Sequence, residues 1–157
     1  MDRETMLKSL KAAISDVLET MFFQSVEILE RNSVINSWCE DDLPLLGASL
    51  DFHGPCDGVF YLVSPVEAIA EFTANFLGIE NPGVSDAQKE DTLKEAVNMI
   101  AGHMFSLFDK EGAYRLEIPV LMERPSLGDP GDTGGGTVYL LIRTDGSLLA
   151  AGLRVNP

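Results

Sequence analysis

The sequence predicts an α+β domain in which long helices pack on a largely antiparallel sheet. Apolar side chains recur at helical spacing in two long segments, residues 3–31 and 86–110. Short apolar runs bounded by turn residues lie between and after these segments, as expected for hairpin strands. A chain of 157 residues, 45% of them hydrophobic, is long enough to bury a core in one domain. We therefore expect a single domain covering residues 1–157.

The first half of the chain predicts one long helix followed by a hairpin. Apolar residues recur every three or four positions from Met6 to Phe22, which predicts a helix over residues 3–31. The segments 45–52 and 59–63 look like strands, and the loop between them contains glycine and proline. A hairpin with a longer loop is therefore expected at this point.

A shorter helix is predicted over residues 64–77. Ser64 is placed to cap its first turn, and Pro65 fits that turn because its missing N–H is not needed there. Glu67 would complete a capping box with Ser64. Gly78 is expected to end the helix in a left-handed conformation.

The second long helix opens with another capping-box pattern, at Ser85 and Gln88, and is expected to run to about Lys110 before Gly112 closes it. Three strands are predicted after it, at residues 114–122, 137–143 and 148–155.

Two features mark these C-terminal strands. Pro119 argues that the first of them is an edge strand or contains a bulge. Asp145 and Gly146 form a strong hairpin-turn signal between the other two. The glycine-rich segment 126–136 is predicted to be a flexible loop, since it lacks the Lys-Ser/Thr pair of a P-loop and is followed by a strand.

One face of the second long helix carries a distinctive polar pattern. Asp91, Glu95 and Asn98 form D-x3-E-x2-N, and together with Gly102 they occupy a stripe about 60° wide at about 100° per residue. Apolar residues occupy the opposite side: Leu93, Val97, Ile100, Met104 and Leu107. The helix is therefore predicted to bury one face and to present a carboxylate, a carboxamide and a bare glycine to a partner.

The two halves of the chain also share a weak internal repeat, in which a long helix is followed by strands and a shorter helix lies between the halves. The segment 58–63 resembles 136–141. In the first helix Ser15, Glu19 and Phe22 align with the three polar residues of the second helix. Because Phe22 replaces the carboxamide, we expect one site per chain.

The composition excludes several classes of partner. A net charge of −14 argues against a nucleic-acid backbone and against an anionic membrane surface. No apolar run approaches the ~20 residues of a transmembrane helix, and the N-terminus does not resemble a signal peptide, so a cytoplasmic location is expected. Cys39 and Cys56 form no CxxC pair and are expected to be reduced, and no metal-ligand set is seen.

Residues 91–98 match the signature of the chemotaxis phosphatase family that includes CheC, CheX and FliY. That signature is an acidic residue or Ser, then Glu, then Asn, with a Pro about twenty residues further on, which Pro119 approximately meets. The segment 91–104, the residues 19–21 and the closing hairpin resemble CheX most closely. A single intact motif also resembles CheX more than CheC.

The resemblance implies hydrolysis of the aspartyl phosphate on a CheY-like response-regulator receiver, which terminates a chemotaxis signal. The receiver brings its own Mg²⁺ and Lys, so no cofactor is expected on this chain. Asn98 would hold the attacking water and Glu95 would pair with the receiver's Lys. Asp91 would sit at the rim, and Gly102 would permit close approach of the partner. CheX-like proteins are typically homodimers, so a homodimer is expected here.

Alternative readings remain open for these residues. Glu95 and Asn98 could belong to an ordinary solvated helix face, and Asp91 could simply stabilise the helix dipole. His103, at the edge of the stripe, is expected to be structural, and His53 is given no role. Two rival functions also remain: a receiver-binding or flagellar-switch interaction module without catalysis, and a free-standing hydrolase acting on a small molecule.

Overall fold

The computed structural model describes residues 3–29, 44–123, 125 and 137–156. Within these residues the chain forms three helices: α1 (Arg3–Met21), α2 (Val66–Leu77) and α3 (Asp86–Phe108). A short 3₁₀ helix at Asn81–Gly83 joins α2 to α3. The same residues form seven strands: β1 (Glu27–Leu29), β2 (Leu45–His53), β3 (Gly58–Pro65), β4 (Arg115–Leu116), β5 (Val120–Leu121), β6 (Thr137–Arg143) and β7 (Leu148–Val155). The predicted α+β fold class is confirmed.

The seven strands form one antiparallel sheet in the order β1-β6-β7-β3-β2, with β4 and β5 both paired to the outer edge of β2. The order is nearly symmetric about the β3–β7 pair, where Tyr61 faces Gly152. On one side of this centre β2 is followed by β4 and β5 from the second half of the chain, and on the other side β6 is followed by β1 from the first half. In this arrangement β3 corresponds to β7, and β2 corresponds to β6. The sequence alignment of 58–63 with 136–141 therefore matched β3 with β6, two strands that are not equivalent in the sheet.

The helices cover one face of this sheet. Helix α3 packs against β2 and β3 of the sheet and against both other helices, α1 and α2. Its apolar residues Leu93, Val97, Ile100 and Met104 are fully buried, as predicted. Leu107 was placed on the buried face as well, but it is 38% exposed because the helix ends one residue later. This packing fixes the rotation of α3 and with it the direction of the opposite face.

The predicted first helix is too long. Helix α1 ends at Met21, and Phe23 adopts a left-handed conformation with φ 56°. The chain then turns, since the N–H of Gln24 donates to the carbonyl of Leu18, and residues 27–29 pair with β6. Alternating and helical apolar patterns cannot be told apart over so few residues, so the sequence extended the helix through β1. Residues 30 and 31 of the predicted helix lie outside the described residues.

The predicted C-terminal end of α2 is confirmed, and its predicted N-terminal cap is wrong. Gly78 is left-handed, with φ 68°, as expected. The predicted capping box is wrong, because β3 runs through Pro65, which becomes the residue before the helix, and no side chain caps the first turn. The hydroxyl of Ser64 is buried and donates instead to the carbonyl of Pro65 at 3.0 Å.

The strand predicted over residues 114–122 is interrupted. Only 115–116 and 120–121 pair as strands, while the N–H of Glu117 donates to the carbonyl of Asp51 at 2.8 Å. Pro119 has no N–H to donate, which accounts for the break. The strands predicted at 137–143 and 148–155 are confirmed. Cys39 and the loop predicted over 126–136 lie outside the described residues.

Helix α3 ends at Phe108, two residues before the predicted end, and Gly112 is left-handed with φ 68°. None of the helices in the described ranges is both long enough and apolar enough to cross a bilayer.

Candidate functional site

Helix α3 is fixed at its start by the capping box that the sequence predicts. The N–H of Gln88 donates to the Ser85 hydroxyl at 3.1 Å, and the N–H of Ser85 donates to the Gln88 side chain at 2.9 Å. The four predicted site residues, Asp91, Glu95, Asn98 and Gly102, are all exposed on the face of α3 that points away from the core. A rigid helix therefore presents the stripe to solvent.

The stripe forms one wall of an open groove of about 570 Å³. The opposite wall is the segment between β4 and β5, and the lining residues are Asp91, Lys94, Glu95, Asn98, Leu116, Glu117, Ile118 and Pro119. The fold thus brings Pro119 to the same groove as Asn98. Sequence reasoning missed Glu117 and Ile118 as part of this wall, and the only signal for them was the proline that interrupts the strand.

A second groove, of about 390 Å³, lies along the other side of the stripe. Helix α2 supplies Phe76 and Leu77 to it, and α3 supplies Gln88, Asp91, Thr92 and Glu95. Asp91 and Glu95 line both grooves and therefore form a ridge between them. We call this pair the acidic ridge.

Some side chains of the stripe already make a hydrogen bond or an ion pair within the chain, and others do not. Within the described part of the chain, neither Glu95 nor Asn98 makes a side-chain hydrogen bond or an ion pair. Asp91 lies 3.6 Å from the Lys94 ammonium, a solvent-exposed pair of the kind that contributes about 0–1 kcal/mol. The carboxylate of Glu95 and the carboxamide of Asn98 are therefore available to a partner, whereas Asp91 is partly neutralised.

Gly102 is not required by packing within the described residues. A Cβ atom built at this position would have no heavy atom within 4 Å other than its chain neighbours and the backbone of its own helix. Its backbone lies in the helix, so it needs no left-handed conformation either. What the missing side chain changes is how closely another molecule can approach α3 one turn beyond Asn98.

Comparison with known proteins identifies the family. The family model described as "Chemotaxis phosphatase CheX" matches residues 46–130, which include the acidic ridge, Asn98, Gly102 and Pro119. The chain belongs to the CheX family. No curated protein matches the chain.

Solved structures of the CheX family and its relatives share this fold at low sequence identity. The chemotaxis protein CheX from Vibrio vulnificus is 14% identical, with a TM-score of 0.77 over 96% of each chain. A CheC-like superfamily protein from Shewanella sp. PV-4 is 15% identical, with a TM-score of 0.74 over 100% of each chain. The CheX of Borrelia burgdorferi, solved in complex with CheY, BeF₃ and Mg²⁺, is 13% identical, with a TM-score of 0.66 over 97% of this chain and 98% of that one.

The position that aligns with Asn98 in the first half of this CheX-family chain is part of the core. Phe22 is fully buried, and its ring centroid lies 5.8 Å from that of Phe72 and 5.3 Å from that of Phe76. It also lies just beyond the last residue of α1. The first copy of the motif therefore presents no carboxamide to solvent.

Both histidines make structural contacts. The Nε2 atom of His103 lies 2.9 Å from the Asp16 carboxylate and so links α3 to α1, in line with the structural role expected for it. His53 contacts Asp57 at 3.3 Å through Nδ1 and Glu117 at 3.4 Å through Nε2. Arg115 lies 3.8 Å from the same Glu117 carboxylate. His53, for which the sequence suggested nothing, therefore helps to hold one wall of the main groove.

A partly buried titratable pair, Tyr114 and Cys56, lies apart from both grooves. Tyr114 Oη lies 3.1 Å from Cys56 Sγ, and burial, followed by this hydrogen bond, raises the pKa of the Tyr114 hydroxyl above its usual range. Over the described residues, no group of three or more His, Cys, Asp or Glu side chains is arranged to hold a metal ion. The chemistry offered by the site is thus a free carboxylate and a free carboxamide beside an open groove.

Proposed function

We propose that this CheX-family protein is a phosphatase that hydrolyses the aspartyl phosphate of a CheY-like receiver domain and thereby terminates a chemotaxis signal in two-component signalling. The observation that carries the proposal is the pair of unengaged side chains, Glu95 and Asn98, on the exposed face of a rigid helix beside an open groove. Two findings support it: the description of the matching family as a chemotaxis phosphatase, and the solved complex of a similar CheX with CheY.

The proposed role of Asn98 follows from what an acyl phosphate needs. The phosphoryl group is already activated, and the receiver supplies Mg²⁺ and a Lys to stabilise charge on its oxygens. Hydrolysis then requires a water molecule in line with the bond that breaks. Water attacks phosphorus, the bond from phosphorus to the aspartyl oxygen breaks, and inorganic phosphate and a carboxylate remain. A carboxamide both donates and accepts hydrogen bonds, so Asn98 holds this water without acting as a base.

Glu95 is proposed to dock the helix on the receiver. Its carboxylate makes no ion pair within the described residues, since Lys94 pairs with Asp91, so it is available to the receiver's Lys. Asp91 lies one turn before Glu95 and pairs with Lys94. From the rim of the site, its carboxylate would attract the cationic site of the approaching receiver. Gly102 would let the partner's backbone approach α3 beyond Asn98.

A free-standing hydrolase is the less favourable alternative. The described walls of the main groove contain no His or Cys, and the groove is open to solvent. A small-molecule hydrolase needs a nucleophile or an activated base in an enclosed pocket. The residues present instead complete a site whose metal and Lys come from another protein, so we propose that no cofactor resides on this chain.

The expected homodimer and cytoplasmic location belong to the same proposal. Receiver domains act in the cytoplasm, so the phosphatase would act there too. Within the described residues the outermost strands of the sheet are β1 on one side and β4 and β5 on the other, and an outermost strand can offer backbone groups to a second copy. The molar mass in solution, measured by light scattering, tests the dimer against the 17.1 kDa of one chain.

Release of inorganic phosphate from a phosphorylated receiver of the same organism tests the function. We expect wild type to accelerate release, and Asn98→Ala to lose roughly 10²–10³-fold in rate while it still binds the receiver. Asn156→Ala is the matched control, since this exposed carboxamide follows β7 and does not line the groove.

Two other outcomes would redirect the proposal. If wild type binds the receiver without shortening the lifetime of its phosphoryl group, the protein is an interaction module that uses a phosphatase fold. If Asn98→Ala retains the wild-type rate, Asn98 does not hold the water.

A further inference from the structure

Large aliphatic side chains stand exposed on both sides of the acidic ridge. Ile118 is 83% exposed and lines the main groove, and Leu77 is 45% exposed and lines the second groove. An exposed apolar side chain is ordinary when it stands alone, but each of these lines its groove together with a second apolar residue, Pro119 beside Ile118 and Phe76 beside Leu77. These two side chains border the same ridge.

The geometry of α3 places the two side chains on opposite flanks. Relative to Asp91, Lys94 and Asn98 lie at about −60° and −20° around the helix axis, on the side of Ile118. Gln88 and Thr92 lie at about +60° and +100°, on the side of α2 and Leu77. The ridge therefore runs between the two apolar side chains.

Both side chains are held by backbone structure. Ile118 follows Glu117, whose N–H donates to the Asp51 carbonyl at 2.8 Å, and it precedes β5, which pairs with β2. Leu77 is the last residue of α2, where the N–H of Ile79 closes the helix by donating to the Ala74 carbonyl at 3.0 Å. A partner would therefore lose little binding free energy in ordering either contact.

We propose that Ile118 and Leu77 form a pair of apolar contacts that grip the receiver on both sides of its phosphorylation site. This inference rests on the proposed function and adds to it which surface selects the partner. Charge complementarity supports a receiver as the occupant. Asp91 and Glu95 line both grooves between the apolar contacts, and because Lys94 pairs with Asp91, the carboxylate of Glu95 has no ion-pair partner among the described residues. Such a centre fits a partner that presents Mg²⁺ and Lys.

The proposal specifies the chemistry of the partner surface. The receiver must carry apolar side chains on two opposite sides of its cationic site, spaced to meet Ile118 and Leu77 when Asn98 reaches the phosphoryl group. A receiver with a charged residue at either position would be rejected, because its charge would be buried against an aliphatic side chain without a partner.

Three glutamine variants test this pair: Ile118→Gln, Leu77→Gln and the control Leu107→Gln. Leu107 is 38% exposed on α3 but lines neither groove. The dissociation constant is measured for a receiver activated with beryllofluoride. Because beryllofluoride is not hydrolysed, the measurement reports binding alone. We expect Ile118→Gln and Leu77→Gln each to weaken binding about tenfold, because each variant would bury an amide against an apolar surface of the receiver, and the control to change it less than twofold.

Phosphate release separates this inference from the proposed function. The two variants should raise KM for the phosphorylated receiver and leave kcat within about twofold, because neither side chain reaches the water. If wild type binds and hydrolyses but both variants bind as tightly as the control, the proposed contacts of Ile118 and Leu77 are wrong, while the phosphatase function is supported. If wild type binds the receiver without hydrolysing its phosphoryl group, the proposed phosphatase function is wrong. The dissociation constants of the variants then still show whether Ile118 and Leu77 contact the receiver. If wild type does not bind the receiver, both fail.

Discussion

Replacing Gly102 with alanine is expected to stabilise the fold and to slow dephosphorylation of the receiver. Glycine inside a helix costs roughly 0.5–1 kcal/mol relative to alanine, because its backbone loses more freedom on folding. Apart from its chain neighbours and the backbone of its own helix, no heavy atom of the described chain would lie within 4 Å of the new Cβ, so no clash within those residues offsets the gain. The free energy of unfolding should therefore rise by roughly this amount.

The expected change in melting temperature follows from the size of the chain. Unfolding entropy near 60 °C is roughly 2.1 cal/mol/K per residue, so 157 residues correspond to roughly 330 cal/mol/K. A gain of about 0.5–1 kcal/mol then raises Tm by about 1.5–3 °C, which calorimetry resolves. Receiver binding and phosphate release are measured on the same sample, and both should weaken if the partner approaches α3 at this point.

Gly78→Ala is the matched control for this argument. Its Cβ would also meet nothing within 4 Å, but its backbone is left-handed with φ 68°, so alanine should cost about 1 kcal/mol there. A lower Tm for Gly102→Ala would show that another surface already contacts this glycine. A higher Tm with unchanged binding and turnover would refute the idea that Gly102 serves the approach of a partner.

Two further predictions concern stability. Ser85→Ala should lower the free energy of unfolding by about 1 kcal/mol, because it removes the cap of α3. Urea titration measures this change. Ser147→Ala is the control, since Ser147 lies in the β6–β7 turn and caps no helix. The raised pKa of Tyr114 predicts that wild type loses stability as the pH rises above about 10. The unfolded chain releases the hydroxyl proton there while the folded chain keeps it, so Tyr114→Phe should flatten the decline; an equally steep decline in that variant would refute the assignment.

The sequence predicted the parts of the site that depend on local structure. Helix α3, its capping box and the stripe at Asp91, Glu95 and Asn98 follow from spacing along one helix, and the structure places them as expected. The opposite wall of the groove does not follow from spacing. Glu117 and Ile118 reach the site because two short segments pair with β2, a long-range arrangement that no local pattern encodes.

Local ambiguity accounts for the errors in the fold. Residues 26–29 satisfy a helical pattern and an alternating one equally well, and pairing with β6 decides between them. Ser64 and Glu67 have the spacing of a capping box, but β3 continues through Pro65 and takes Ser64 into the sheet. In both cases strand pairing overrides a local signal for a helix.

Packing of α2 explains why a nearly symmetric sheet carries one site. The two long helices occupy related positions, yet α2 is inserted only between the halves, and it packs Phe72 and Phe76 over the end of α1. Phe22 fills that space where the aligned residue of α3 is Asn98. A carboxamide at position 22 would give up the burial of an aromatic ring, a change that costs about 3–5 kcal/mol in protein cores. It would also be buried without an assured hydrogen-bond partner. The same helix that contributes Leu77 to one flank of the acidic ridge thus covers Phe22, the position aligned with Asn98, while Glu19, the position aligned with Glu95, stays exposed without a carboxamide beside it.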